Sequence, residues 1–127
     1  MFQNCLAVGV GGAVGSLMRY IVAVLIEGWT PASRMPFATA IVNLLGCFAI
    51  GVASGVFEKY SNLPLELRLL LVTGFLGGFT TFSAFAVEIV TLHSDGMTFA
   101  AIINVVLQVG LGVLLVTLGY SLAERAL

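Results

Sequence analysis

The sequence predicts an all-α integral membrane protein, and two properties of the chain lead to this fold class. Of its 127 residues, 60% are hydrophobic and only 9% are charged, whereas a soluble domain carries roughly a quarter charged residues. The three prolines and several of the charged residues fall in three short connections, which divide the chain into four apolar segments. We therefore expect one compact membrane domain, residues 1–127, without a separate soluble module.

Each apolar segment is long enough to cross a bilayer as a helix, which takes about 20 residues. The predicted spans cover approximately residues 5–26, 37–57, 65–92 and 98–122. Because the connections are short, consecutive spans should run antiparallel in a four-helix bundle. Four crossings also place both chain termini on the same side of the membrane.

Basic residues are divided almost evenly between the two sides of this bundle. The side that holds the termini has Lys59, Arg68 and Arg125. The other side has Arg34, and also Arg19 if its side chain extends that way. Positive charge in the loops sets the orientation of a membrane protein, and so small a bias allows insertion in either direction. The sequence is therefore consistent with dual topology, in which copies of one chain are inserted in opposite orientations.

The stretch GFLGGFTTFSAF, residues 74–85, lies in the middle of the third span, yet its residues are poor helix formers. A helix can be interrupted at membrane depth only where the freed backbone groups are buried in protein or line a cavity. Gly77 and Gly78 can adopt the left-handed or extended conformations that end a helix, and Thr80 or Thr81 can cap the half that follows. Free carbonyls at such a break bind cations, and free amide groups favour anions. The pattern predicts an ion-binding break, with a simple kink as the alternative.

Phe82 and Phe85 follow the break directly and share one face of the second half-helix. A phenyl ring has a negative face and a positive edge, so ring edges that point into a narrow pore can stabilise a small anion. A phenylalanine pair at this spacing is usually core packing. The position of this pair beside the break favours the pore interpretation.

Two charged residues lie deep within the predicted spans. Arg19 is about two turns inside the first span, and Glu88 is the one acidic residue deep within a span. A charge in the membrane is costly unless it reaches water, a partner or an ion. Arg19 therefore either extends to the membrane surface or assists ions at the mouth of a pathway. Glu88 serves either a proton-coupled transporter or a structural hydrogen bond.

Polar and small side chains recur at helical spacing in the second and fourth spans. They are Thr39 and Asn43 in the second span, and Asn104, Gln108 and Gly112 in the fourth. An amide in hydrocarbon must find hydrogen-bond partners, so the amides face protein or water and not lipid. For Asn43 we favour a functional role, whereas Asn104 and Gln108 are equally consistent with hydrogen bonding between helices.

Along nearly its whole length the chain resembles the CrcB/Fluc family of fluoride channels. The motifs that carry the resemblance are GGAVGSLMRY in the first span, VNLLG in the second, GFLGGFTTFSAFAVE in the third and NVVLQVGLG in the fourth. The third motif is long and distinctive. The resemblance implies passive, selective export of fluoride from the cytoplasm, which relieves fluoride toxicity, and it implies no enzymatic activity.

The resemblance also implies a role for most of the polar residues described above. The pore would be lined by Phe82, Phe85, Asn43, Thr39 and Gln108. Ring edges and the amide hydrogens of Asn43 would meet fluoride there, and Arg19 would set the positive potential of a vestibule. The backbone carbonyls of Gly77 and Thr80 would hold a structural Na⁺. Glu88 and Asn104 are intramembrane polar residues without an assigned role.

The implied assembly is an antiparallel homodimer with two pores near the subunit interface and the Na⁺ at its centre. No organic cofactor is expected. The implied location is the cytoplasmic (inner) membrane of a bacterium, with membrane lipid around a multi-pass protein. The net charge of −1 argues against nucleic acid as a partner, because nucleic-acid binding requires clustered Lys and Arg.

The fourth span departs from the family pattern. Family members often carry hydroxyl residues at the positions that Gln108 and Gly112 occupy here. Gln108 keeps hydrogen-bonding capacity, whereas Gly112 has no side chain. The resemblance also implies a row of polar side chains beside the pore, called the polar track below. Its part in the fourth span is therefore expected to differ in this chain.

Two other classes of function remain as alternatives. The first is a small dual-topology multidrug antiporter coupled to protons, which needs a carboxylate in its first span. The first span here has Arg19 and no acidic residue before Glu27 at its end. The second is a structural membrane subunit without transport activity, which does not account for the break at mid-membrane.

Overall fold

The computed structural model describes residues 1–30, 33 and 35–126, which form four long helices. Their bounds are Phe2–Trp29 (α1), Phe37–Lys59 (α2), Leu65–Ser94 (α3) and Thr98–Ala126 (α4). All four are long and apolar enough to cross a membrane, and the described residues include no strand. The all-α membrane fold with four spans is confirmed, and the antiparallel homodimer stays a prediction. Arg34, which entered the comparison of charges, lies outside the described residues.

α3 is interrupted near its middle, as predicted. Before the interruption the chain passes through a short α-helical turn, a wider π-helix and another α-helical turn, at Leu65–Arg68, Leu69–Leu76 and Gly77–Phe79. Thr80 and Thr81 are extended, with φ/ψ of −82°/160° and −150°/113°. An α-helix resumes at Phe82–Ser94. Residues 65–79 are called the first half of α3 below, and residues 82–94 the second half.

The break lies at the threonines and not at the glycines that precede them. Gly77 is helical, with φ −64° and ψ −36°, and Gly78 belongs to the same turn. Among the described residues only Gly96 has a positive φ. The prediction that Gly77 and Gly78 end the helix in left-handed or extended conformations is therefore wrong. Thr81 does cap the second half as predicted, because its Oγ1 accepts the Ala84 N–H at 3.2 Å.

The glycines before the break allow α1 to approach the first half of α3 closely. A Cβ atom on Gly78 would lie 2.5 Å from the Gly12 carbonyl oxygen, which is too near for any side chain. Gly11 and Gly15 are buried against the backbone of the first half in the same way. The small-residue face of α1 is therefore the surface on which the first half of α3 packs.

α2 and α4 form the other closely packed pair. They cross in the same direction, because α3 separates them in the chain. Gly51 of α2 contacts the backbone of Val116, and Gly119 of α4 contacts the backbone of Phe48 and Val52. The second half of α3 packs on α4. The break in α3 thus lies where α1, α2 and α4 all reach it.

α3 ends in a turn that reverses the chain toward α4. Met97 N–H bonds to the Leu92 carbonyl at 2.8 Å, and Gly96 N–H bonds to the His93 carbonyl at 3.0 Å. This pair of bonds is a Schellman motif, which requires a left-handed residue at the position of Gly96, with φ 78°. The tight turn keeps the second half of α3 beside α4.

Candidate functional site

Asn43 of α2 holds the extended residue Thr81 by both of its backbone groups. Asn43 Oδ1 accepts the Thr81 N–H at 2.8 Å, and Asn43 Nδ2 donates to the Thr81 carbonyl at 3.1 Å. In a continuous α-helix the Thr81 N–H would bond to the carbonyl of Gly77, four residues earlier. A side chain of α2 therefore replaces a helical hydrogen bond of α3 and stabilises the break.

Asn43 is also the first member of a row of three amides that crosses to α4. Asn43 Nδ2 donates to Gln108 Oε1 at 2.8 Å, and Gln108 Nε2 donates to Asn104 Oδ1 at 2.9 Å. Gln108 is 8% exposed and Asn104 is 4% exposed. Asn104 Nδ2 is buried without a hydrogen-bond partner. Asn43 of α2 and the two amides of α4 thus form one connected network.

A cavity of about 330 Å³ lies beside the break and brings most of the predicted pore residues together. Its lining from the predicted set is Asn43, Gly77, Thr80, Phe82, Phe85 and Gln108. The rings of Phe82 and Phe85 have centroids 5.7 Å apart and planes inclined at 50°. Phe85 is 7% exposed, whereas Phe82 is 79% exposed. Phe85 therefore forms an inner wall of this cavity, and Phe82 flanks it at the surface of the protomer.

Arg19 reaches the break from α1. Its Nη1 donates to the Thr80 carbonyl at 3.3 Å, so the guanidinium lies at the break and not at the membrane surface. Arg19 also lines a second cavity of about 170 Å³ together with Thr39 and Thr81. Because Thr81 lines both cavities, the extended residue separates a side with Arg19 from a side with Phe82 and Phe85.

The two carbonyls predicted to bind a cation differ in their surroundings. The Gly77 carbonyl loses its usual helical donor, because the Thr81 N–H bonds to Asn43 instead. The Thr80 carbonyl oxygen accepts a hydrogen bond from Arg19 Nη1 and keeps a second lone pair for another ligand. Among the described residues no group of three or more His, Cys, Asp or Glu side chains could hold a metal ion.

Glu88 lies in the second half of α3 and bonds across to α2. Thr39 Oγ1 donates to Glu88 Oε1, and Glu88 Oε2 is buried without a partner. Thr39 precedes Asn43 by about one turn of α2. The contact between Thr39 and Glu88 therefore lies next to the hydrogen bonds that Asn43 makes at the break. Neither Glu88 nor Asn104 lines the larger cavity.

In addition to the bonds from Asn43 to Thr81, two contacts from α1 to the break were not predicted from the sequence. One is the bond from Arg19 to the Thr80 carbonyl, and the other is Ser16 Oγ donating to the Gly78 carbonyl at 3.4 Å. Ser16 and Arg19 are three residues apart and share a face of α1. That spacing was the available signal that both side chains face the break.

Residues 6–120 match the family model described as CrcB-like protein, Camphor Resistance (CrcB). The chain belongs to the CrcB-like family. The family resemblance inferred from the four motifs is thereby confirmed, and so is the expectation that the chain is not an enzyme, because the members found by comparison are named as channels.

Three CrcB-like relatives illustrate the extent of the similarity, and each is named fluoride-specific ion channel FluC. The relative from Prosthecochloris aestuarii is 45% identical over 123 residues, which cover 97% of this chain and 94% of the relative. The relative from Rhizobium leguminosarum bv. trifolii is 46% identical over 121 residues, or 93% of this chain and 94% of the relative. The relative from Methylobacillus flagellatus is 36% identical over 127 residues, or 100% of this chain and 98% of the relative.

Proposed function

We propose that this chain is a fluoride-selective passive channel that exports fluoride from the cytoplasm and so relieves fluoride toxicity. The proposal rests on family membership, on the names of the relatives and on one structural observation. That observation is the cavity at the break, which is lined by Asn43, Phe82 and Phe85. Donor groups and ring edges around one small cavity are suited to a small, strongly hydrated anion, because they can replace its water.

Asn43 is the proposed donor to the anion. Its Nδ2 carries two hydrogens, of which one is engaged by Gln108 Oε1 at 2.8 Å and the other reaches the Thr81 carbonyl at the longer distance of 3.1 Å. In our proposal fluoride in the cavity becomes an acceptor of this second hydrogen, in competition with the Thr81 carbonyl. The Oδ1 bond to Thr81 N–H keeps the side chain in place during this exchange.

A structural Na⁺ at the break is part of the proposal, and the residues there fit it. The carbonyl freed at Gly77 and the second lone pair at Thr80 are hard oxygen ligands. Each protomer supplies only these two predicted carbonyls, so a second copy of the chain would have to complete the coordination shell. When bound, the ion would neutralise the carbonyl dipoles at the end of the first half of α3.

The same geometry supports the antiparallel homodimer. Phe82 is 79% exposed beside the cavity, and a ring that lines a pore must be covered on both sides. A second copy across the break would cover it and would create two equivalent pores. Arg19 and Thr39, in the smaller cavity on the other side of Thr81, are the proposed vestibule and the start of the polar track. The proposed location is the inner membrane of a bacterium.

The proposed roles of the rings are tested by fluoride efflux from liposomes that hold Phe82→Ile, Phe85→Ile or a control, Phe99→Ile. Phe99 is 76% exposed on α4, away from the cavity. If each ring edge stabilises the ion by about 1.5 kcal/mol, each pore variant slows efflux about tenfold, while the control keeps the wild-type rate. Wild-type efflux in both pore variants would show that the rings do not meet the ion.

A further inference from the structure

The row of amides has a direction, and a backbone group fixes it at one end. The N–H of Thr81 can only donate, and it donates to Asn43 Oδ1 at 2.8 Å. Asn43 Nδ2 must then point toward Gln108 and toward the Thr81 carbonyl. A flipped Asn43 amide would place Nδ2 against the Thr81 N–H, with two donors facing each other. The break itself therefore dictates which end of the Asn43 amide faces α4.

Gln108 has no freedom to reverse this direction. It presents Oε1 to Asn43, so its Nε2 turns away and donates to Asn104 Oδ1 at 2.9 Å. One of the two hydrogens of Gln108 Nε2 is thus engaged within α4, by Asn104 Oδ1. Without an acceptor at Asn104, Nε2 would be left unpaired in a site where Gln108 is only 8% exposed, which is costly. Rotation of the Gln108 amide to find another partner would set its nitrogen against Asn43 Nδ2.

Asn104 closes the row. Its Oδ1 accepts from Gln108, and this leaves Nδ2 as the end of the row, buried and without a partner. An amide retained at 4% exposure with an unpaired nitrogen is explained by what its oxygen does, because an apolar side chain would fill the space without that cost. The function of the Asn104 side chain is therefore to supply an acceptor, Oδ1, for Gln108 Nε2.

We propose that Asn104 is a positioning residue for ion passage. Its Oδ1 fixes the Gln108 amide, and the Gln108 amide fixes Asn43 on the extended backbone of Thr81. In this proposal Asn104 acts through Gln108, and Gln108 acts through Asn43. The inference rests on the proposed function only in so far as the ion passes beside Asn43; the row of hydrogen bonds can be tested without any ion.

The experiment compares Asn104→Leu, Gln108→Leu and the double variant with wild type and with Gly110→Ala. Gly110 lies on α4 with open space where a Cβ would be, so it controls for substitution on the same helix. Two quantities are measured in liposomes: the fluoride efflux rate per active channel and the fraction of vesicles that hold an active channel. Amide hydrogen exchange at Thr81 is measured on the same purified proteins.

The proposal predicts that Asn104→Leu slows efflux per active channel about tenfold, in line with a misplaced hydrogen bond. It also predicts faster exchange at Thr81, and no additional loss when Asn104→Leu is placed in the Gln108→Leu background. A merely structural Asn104 would lower the fraction of active vesicles and leave both the rate per channel and Thr81 exchange at wild-type values. That outcome, or full additivity of the two substitutions, would overturn the proposal.

Two further outcomes are covered by the design. If Asn104→Leu does not assemble, Asn104→Ser gives the same test. The serine hydroxyl lies one bond closer to the backbone than Asn104 Oδ1 and does not reach Gln108 Nε2. If wild type carries no fluoride at all, the proposed function fails, and Thr81 exchange alone still decides whether Asn104 positions Asn43. Unchanged exchange in the Asn104 variants would then overturn the inference independently.

Discussion

Asn43→Ala is the substitution that tests most sharply why α3 is broken at Thr81. It removes three hydrogen bonds, two to the backbone of Thr81 and one to Gln108 Oε1. An unsatisfied buried group costs about 1–3 kcal/mol. Because Thr81 lines the cavity beside Asn43, we apply the lower end of that range to the groups left unpaired. For the Thr81 N–H and Gln108 Oε1 together the expected loss is about 2 kcal/mol, or about 1 kcal/mol for each group.

The assay is amide hydrogen exchange at Thr81 in purified protein, together with the free energy of unfolding. The loss of about 1 kcal/mol at the Thr81 N–H accelerates its exchange about fivefold. Asn43→Asp is the matched variant, because it keeps an oxygen for the Thr81 N–H and loses the donor to Gln108. Thr81 should therefore exchange more slowly in Asn43→Asp than in Asn43→Ala. Wild-type exchange at Thr81 in the alanine variant would refute the view that Asn43 holds the break.

The remaining predictions concern α1. Gly15→Ala should lower the free energy of unfolding by about 1–3 kcal/mol, because its Cβ would overlap the Phe75 carbonyl. Gly12→Ala should stay within about 0.5 kcal/mol of wild type, since its Cβ would lie 3.9 Å from the nearest backbone oxygen. Equal unfolding midpoints for the two variants would contradict this packing. Arg19→Gln should slow fluoride efflux more at low salt than at high salt, because salt screens the potential of a guanidinium; an equal loss at both would remove the vestibule role.

The four membrane spans could be predicted from the sequence because each span depends only on about 20 consecutive residues. Prolines and charges marked the connections, and the weak helix formers around Thr80 and Thr81 marked the break. The family motifs predicted that Asn43, Phe82 and Phe85 line one pore. In the structure these three residues line one cavity.

The details that the sequence did not reveal depend on contacts between helices. Gly77 and Gly78 were expected to end the helix because glycine permits unusual backbone angles. They remain helical, and Gly78 serves the close approach of Gly12 instead. The π-helical turns of Leu69–Leu76 likewise run along α1, and no periodicity within the segment signals them.

The role of Arg19 shows the same limit. From spacing alone, a guanidinium two turns inside a span was equally suited to the membrane surface and to a vestibule. Its bond to the Thr80 carbonyl depends on the break being at Thr80 and on α1 packing beside it. Similarly, the direction of the amides from Asn43 to Asn104 follows from a backbone N–H that only the folded chain exposes.

Fluoride efflux from liposomes that hold the purified wild-type protein tests the central claim most directly. A fluoride electrode follows release after valinomycin is added, with chloride-loaded vesicles measured in parallel and with an opposing proton gradient in a third set. A selective passive channel predicts fast fluoride release, negligible chloride release and a rate that the proton gradient does not change. Folded protein that releases no fluoride, or releases it only when driven by protons, would contradict the account.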